Sequence, residues 1–128
     1  MELRLVLTVD DVDRALAFYR DALGLEELEA WTGESPEARI AILGAGRATL
    51  ELVNEAQAAA IDEIEVGRRV AGPVRIAFAV DDSAAAAERL VHAGAEQLAE
   101  PVVTPWNDRN ARVRLPDGMQ LTLHSVVD

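Results

Sequence analysis

The chain has 128 residues, half of them hydrophobic, with no Cys and no Lys, and it carries a net charge of −11. That length suits one domain with a real core, and the hydrophobic share excludes a disordered chain. The missing cysteines exclude disulfides, thiolate nucleophiles and thiolate-held zinc; the missing lysines exclude Schiff-base catalysis; the acidic balance disfavours nucleic-acid phosphates.

Leu3–Val9 reads as an apolar strand that begins almost at the N-terminus. That start leaves no room for a signal peptide, and no window approaches the ~18 apolar residues of a membrane span. A cytoplasmic protein without membrane contact is the expectation. Asp10 and Asp11 then supply an N-cap for a helix from Val12 to Ala22. Val12, Ala15, Leu16, Tyr19 and Leu23 form its apolar stripe, and Gly24 stands where a helix-ending glycine belongs. Leu25–Trp31, Ala38–Leu43 and Arg47–Val53 follow as strands, the last two joined at Gly44-Ala45-Gly46. Residues 57–73 read as a linker, and an Ala-rich start (Ala56, Ala58–Ala60) gives it a short helix.

The plan then repeats. Val74–Val80 is a strand, Asp81-Asp82 a cap, Ser83–Ala93 a helix and Gly94 its end. Strand-like residues run through Gln97–Val103, interrupted by Pro101. Asn110–Leu115 and Met119–Val126 flank the turn Pro116-Asp117-Gly118. Asp11 and Asp82 lie 71 residues apart, and the same offset carries Leu50-Glu51-Leu52 onto Leu121-Thr122-Leu123. One residue is lost after the second helix, since Gly24 and Gly94 are 70 apart, and it is regained before the last strand. A shared offset at both ends predicts a duplication. The domain is 1–128, with module one at 1–56 and module two at 74–128, each βαβββ.

Side chains of a strand alternate between faces. Leu3, Leu5, Leu7 and Val9 share the face expected beneath the first helix, and Val74, Ile76, Phe78 and Val80 do the same in the second module. The opposite face then carries Arg4, Thr8, Glu51, Arg75, Gln120, Thr122 and His124. Small apolar residues among them (Val6, Val53, Ala77, Ala79) point to a concave trough rather than a solvated surface.

Val9-Asp10-Asp11, the run Ala17-Phe18-Tyr19-Arg20 through Leu23-Gly24-Leu25, the second βα unit and Pro116-Asp117-Gly118 resemble the vicinal oxygen chelate superfamily over nearly the whole chain. That superfamily includes glyoxalase I, extradiol dioxygenases and bleomycin-binding resistance proteins. The resemblance implies the α+β glyoxalase/bleomycin resistance fold, in which two βαβββ modules pair into an open, curved mixed sheet, and it implies a homodimer. Its metal-dependent members place ligands at positions matching Arg4, Glu51, Arg75 and Thr122 here. Only Glu51 is a metal-ligand type, and a guanidinium has no lone pair to give a cation. The expectation is therefore no metal cofactor: the arginines stand in the cation's place and Glu51 bridges them, and the cluster either closes the trough floor as an ion-pair plug or leaves a guanidinium free to hold an anionic oxygen. Trp31 and Trp106 are candidates to stack on a planar ligand, against core or interface roles. His124 is a general base or metal ligand, or an exposed bystander; His92 complements a helix end.

With these residues the resemblance implies a small-molecule binding protein of the bleomycin-resistance type, taking an anionic or planar metabolite or antibiotic. The alternative is a metal-dependent lyase, isomerase or dioxygenase using Glu51 and His124. A third option is an interaction module without a ligand.

Overall fold

The computed structural model describes residues 1–33 and 35–127. In chain order the elements are β1 (Glu2–Thr8), α1 (Val12–Leu16, continuing as a π-helix over Ala17–Ala22), β2 (Glu26–Thr32), β3 (Arg39–Ala45), β4 (Ala48–Val53) and α2 (Glu55–Glu65). They continue with β5 (Val74–Ala79), α3 (Ser83–His92), β6 (Glu96–Gln97), β7 (Val102–Val103), β8 (Asp108–Arg114) and β9 (Gln120–Val126). One mixed sheet takes the order β2-β3-β4-β1-β5-β9-β8-β6, with β7 also on β8.

The duplication is visible in the hydrogen-bond register. Leu5 pairs with Leu50 between β1 and β4, and Ile76 pairs with Leu121 between β5 and β9, the same pairing moved by the repeat offset. The modules meet within the chain, where β1 runs antiparallel to β5 and Leu5 faces Ile76, its own counterpart. Capping is duplicated too. The Asp11 carboxylate accepts from the Arg14 N–H at 3.1 Å, and that of Asp82 from the Ala85 N–H at 3.1 Å. Gly24 at φ +92° and Gly94 at φ +118° end the two helical segments in a conformation that side chains resist.

Two cores lie under the helices. Val12, Ala15 and Leu16 pack on Ala41, Leu43, Leu50 and Leu52; Ala86 and Ala87 pack on Ala111, Val113, Leu121 and Leu123. A third apolar cluster covers the other face of the sheet, joining Val6, Ile40, Ile42, Val53 and Ala77 to Ala58 of α2.

Three expectations change. The first helix is not α throughout: the Leu23 N–H donates to the Phe18 carbonyl at 2.9 Å, an i to i+5 bond. The wider turn shifts later residues around the axis, so Leu23 leaves the apolar stripe and stands 68% exposed. Leu3 and Leu5 are not beneath a helix either. α1 sits over β3 and β4, α3 over β8 and β9, and the central seam between them leaves Leu3, Leu5 and Val74 exposed. The expected linker, 57–73, contributes most of an eleven-residue helix, α2, which lies in the concave face. Asn54 caps it, accepting from the Gln57 N–H at 3.0 Å.

Candidate functional site

Sheet curvature and α2 enclose a cavity of about 490 Å³ on the concave face. Residues of one lateral row cross its floor: Glu29 pairs with Ile42, Ile42 with Glu51, Glu51 with Val6, and Val6 with Arg75. All five line the cavity. Strand alternation places them there, since each belongs to the set facing away from α1 and α3.

Seven of the nine residues singled out in the sequence meet in this space: Arg4, Glu51, Arg75, Thr122, His124, Trp31 and Trp106. The two tryptophans come from β2 and from the loop before β8, at opposite sides of the sheet, and are half-exposed. Thr8 and Gln120 do not line it. The chain returning from α2 covers their end of the trough. Thr8 faces a small void beside Ala71 and Gly72, while Gln120 donates to the Val70 carbonyl at 2.6 Å and accepts from Arg112 at 3.0 Å.

The guanidiniums are arranged differently from the expected bridge. Arg4 donates to Glu51 at 3.3 Å and to the Thr49 hydroxyl at 3.0 Å. Arg75 bonds instead to the Thr122 hydroxyl at 2.8 Å, so Glu51 joins only one arginine. Among the described residues Arg75 makes no ion pair, although it is 8% exposed and faces the cavity. Burial pushes its pKa below the usual guanidinium value, with Glu65 and Glu51 opposing that shift and Arg112 adding to it. His124 lines the cavity and is half-buried rather than exposed. Burial, then the Arg4 charge, lower its pKa below 6.5, so the imidazole is neutral at pH 7.

A second polar group went unnoticed in the sequence. Arg112, fully buried, donates to Asp62 at 2.8 Å and to Glu65 at 3.1 Å. Its Nη2 lies 3.0 Å from Glu65 Oε1, an ion-pair distance whose angle is too poor for a hydrogen bond. Glu65 also accepts from Asn110 and Thr122, at 3.0 and 3.1 Å. Burial disfavours the Asp62 charge, but the Ala71 and Val70 N–H groups and Arg112 outweigh it and hold the carboxyl below its ordinary value. This network ties α2 to the second module. Its sequence signal was two acids three residues apart on one helical face and an arginine inside the strand Ala111-Arg112-Val113.

The residues present do not fit a divalent metal. The four family positions hold two guanidiniums, a hydroxyl and one carboxylate already paired with Arg4. Among the described residues no three His, Asp or Glu side chains gather as a ligand set.

Two modules, the second carrying its outer strand as two short pieces, β6 and β7, curl one sheet around a concave pocket in an α+β architecture. The sequence profile of the Glyoxalase/Bleomycin resistance protein/Dioxygenase superfamily matches residues 3–123, and the chain belongs to that superfamily. Solved structures share the fold at low identity. A hypothetical protein, BH1468, from Bacillus halodurans C-125 is 20% identical, with 98% of this chain and 93% of that chain covered, at TM-score 0.69. A superfamily member from Vibrio splendidus 12B01 is 16% identical, covering 97% of each chain, at TM-score 0.66. Methylmalonyl-CoA epimerase from Mycobacterium tuberculosis is 22% identical, covering 98% of this chain and 87% of that chain, at TM-score 0.67. No curated protein matches the sequence.

Proposed function

We propose that this protein binds a small planar or anionic molecule in the trough without a resident metal, acting as a cytoplasmic homodimer whose two modules, 1–56 and 74–128, both contribute to the pocket beside α2. The observation that carries this reading is Arg75. A buried guanidinium with one neutral hydrogen-bond partner and no counter-ion among the described residues is favoured strongly by an arriving anion. Ile42, Val6 and Ala77 give such a ligand an apolar floor, and the two indoles give it faces to stack on.

The test is calorimetric titration of EDTA-treated protein with 4-methylbenzoate, beside the Arg75→Met variant. Met fills most of the space of Arg without its charge. The metal-free protein is expected to bind, and the variant to lose at least ten-fold in affinity while melting normally. Binding that requires added Zn, Ni, Mn or Fe would replace this reading with a metal-dependent one.

A further inference from the structure

The sides of the trough hold a second kind of recognition chemistry. Each combines an indole, a carboxylate and a buried amide. Trp31 and Glu29 project from β2, and Gln57 of α2 lies so close to Gly33 that a Cβ there would come within 1.9 Å of Gln57 Oε1. Opposite them stand Trp106, Asp108 and Asn110.

The amides lack donors. Gln57 and Asn110 are 3% and 6% exposed, both line the cavity, and among the described residues neither Gln57 Oε1 nor Asn110 Oδ1 has a hydrogen-bond partner. The orientation of Asn110 is fixed, because its Nδ2 donates to Glu65 at 3.0 Å; the unmatched atom must be the oxygen. Both oxygens are closed off from solvent, so they add negative potential beside the cavity rather than a contact surface. The charges agree. Four carboxylates (Glu29, Glu51, Glu65, Asp108) and two guanidiniums (Arg4, Arg75) line the cavity. Glu51 is paired with Arg4 and Glu65 with Arg112, whereas Glu29 and Asp108 form no ion pair among the described residues. The sides are thus negative and rich in acceptors, and indole faces attract cations.

We propose that the trough takes a planar zwitterion, with a carboxylate-type group on Arg75 and a protonated nitrogen at the side walls, against the indole faces and the unpaired carboxylates. This rests on the anion seat at Arg75 and adds the opposite end of the ligand. A simple anion would meet Glu29 and Asp108 unfavourably.

Three rings of one size separate the terms: 4-(aminomethyl)benzoate, 4-methylbenzoate and 4-methylbenzylamine, titrated calorimetrically at pH 7.5. The zwitterion is expected to bind at least ten-fold tighter than either relative. In Glu29→Gln, Asp108→Asn and the double variant its advantage over 4-methylbenzoate should shrink, below three-fold in the double, while the 4-methylbenzoate affinity holds or improves. The singles decide the matter should the double fail to fold. Equal or tighter binding of 4-methylbenzoate overturns this inference and leaves the anion seat standing. A zwitterion advantage that survives the variants also overturns it. Preference for 4-methylbenzylamine over both acids, or no binding by any of the three, overturns the anion seat as well.

Discussion

The arginine at position 75 and its symmetry mate at position 4 show how one duplicated residue takes on two duties. Arg4 has Glu51 and Thr49 as partners, so its charge is largely spent on closing the floor. The equivalent of Glu51 in the second module is Thr122, a neutral hydroxyl, and Arg75 is left with unmatched charge. His124 sits on the same wall and makes a measurable contribution of its own. Its folded pKa is lowered below 6.5 by burial first and by Arg4 second. The unfolded chain therefore takes up a proton near 6.5 that the folded protein resists, and stability falls as pH drops from there toward the depressed folded value. For one proton the slope cannot exceed about 1.4 kcal/mol per pH unit. Chemical denaturation of the native protein between pH 7 and 5 should show this loss, and His124→Gln should show much less of it. Matching slopes would mean that the imidazole titrates as it does in water.

At the scale of the element, α2 is the part that gives the trough its closed end. It is held by charge as much as by apolar contact: Asp62 accepts from the Val70 and Ala71 N–H groups, from Arg69 and from Arg112. The folded Asp62 carboxyl titrates below its ordinary 3.8, so its stabilisation is present above that value and is lost as pH falls from there through the lower folded value. Asp62→Asn turns an acceptor into a donor facing N–H groups and leaves the Arg112 charge less compensated. A loss of about 3–5 kcal/mol at pH 7 is expected in urea titrations, the range for breaking a buried pair. A variant within 1 kcal/mol of the native protein would show that the network does not anchor α2. This helix also marks where sequence reasoning stopped. The strands, both Asp caps and the repeat offset were legible because period-two alternation and capping are local signals. The docking of α2 depends on Arg112, 50 residues after Asp62, and the two acids on one helical face, Asp62 and Glu65, do not by themselves name that distant partner. Alternation likewise put Leu3 and Leu5 on the correct face, but it carries no information about which helix covers that face. The sites fared similarly: Arg4, Glu51, Arg75 and Thr122 follow from strand parity, whereas Thr8 and Gln120 were removed from the cavity by a segment whose path is set by tertiary contacts.

For the whole molecule, the duplication leaves one surface unfinished. The pairing of Leu5 with Ile76 marks the axis relating the modules, and around it the sheet face opposite the trough carries Leu3, Leu5 and Val74, each more than a third exposed. The two helix-covered cores flank this seam without meeting over it. An apolar strip at a pseudo-two-fold axis suits isologous contact with a second copy, because both halves of the strip present similar chemistry to a partner turned through half a revolution. Stable association of this kind needs roughly 1,200–2,000 Å² of buried surface, so the flanks of α1 and α3 must take part beside the strip. Light scattering coupled to size exclusion should therefore give twice the 13.8 kDa chain mass at micromolar concentration. Leu5→Glu places like charges opposite one another near the axis and should yield monomers, with the 4-methylbenzoate affinity changed by less than three-fold because the trough opens on the other face. A monomeric native protein would remove the role assigned to the strip. A dimeric Leu5→Glu protein would move the interface elsewhere, and a dimer whose dissociation also abolished binding would mean that the partner copy completes the pocket.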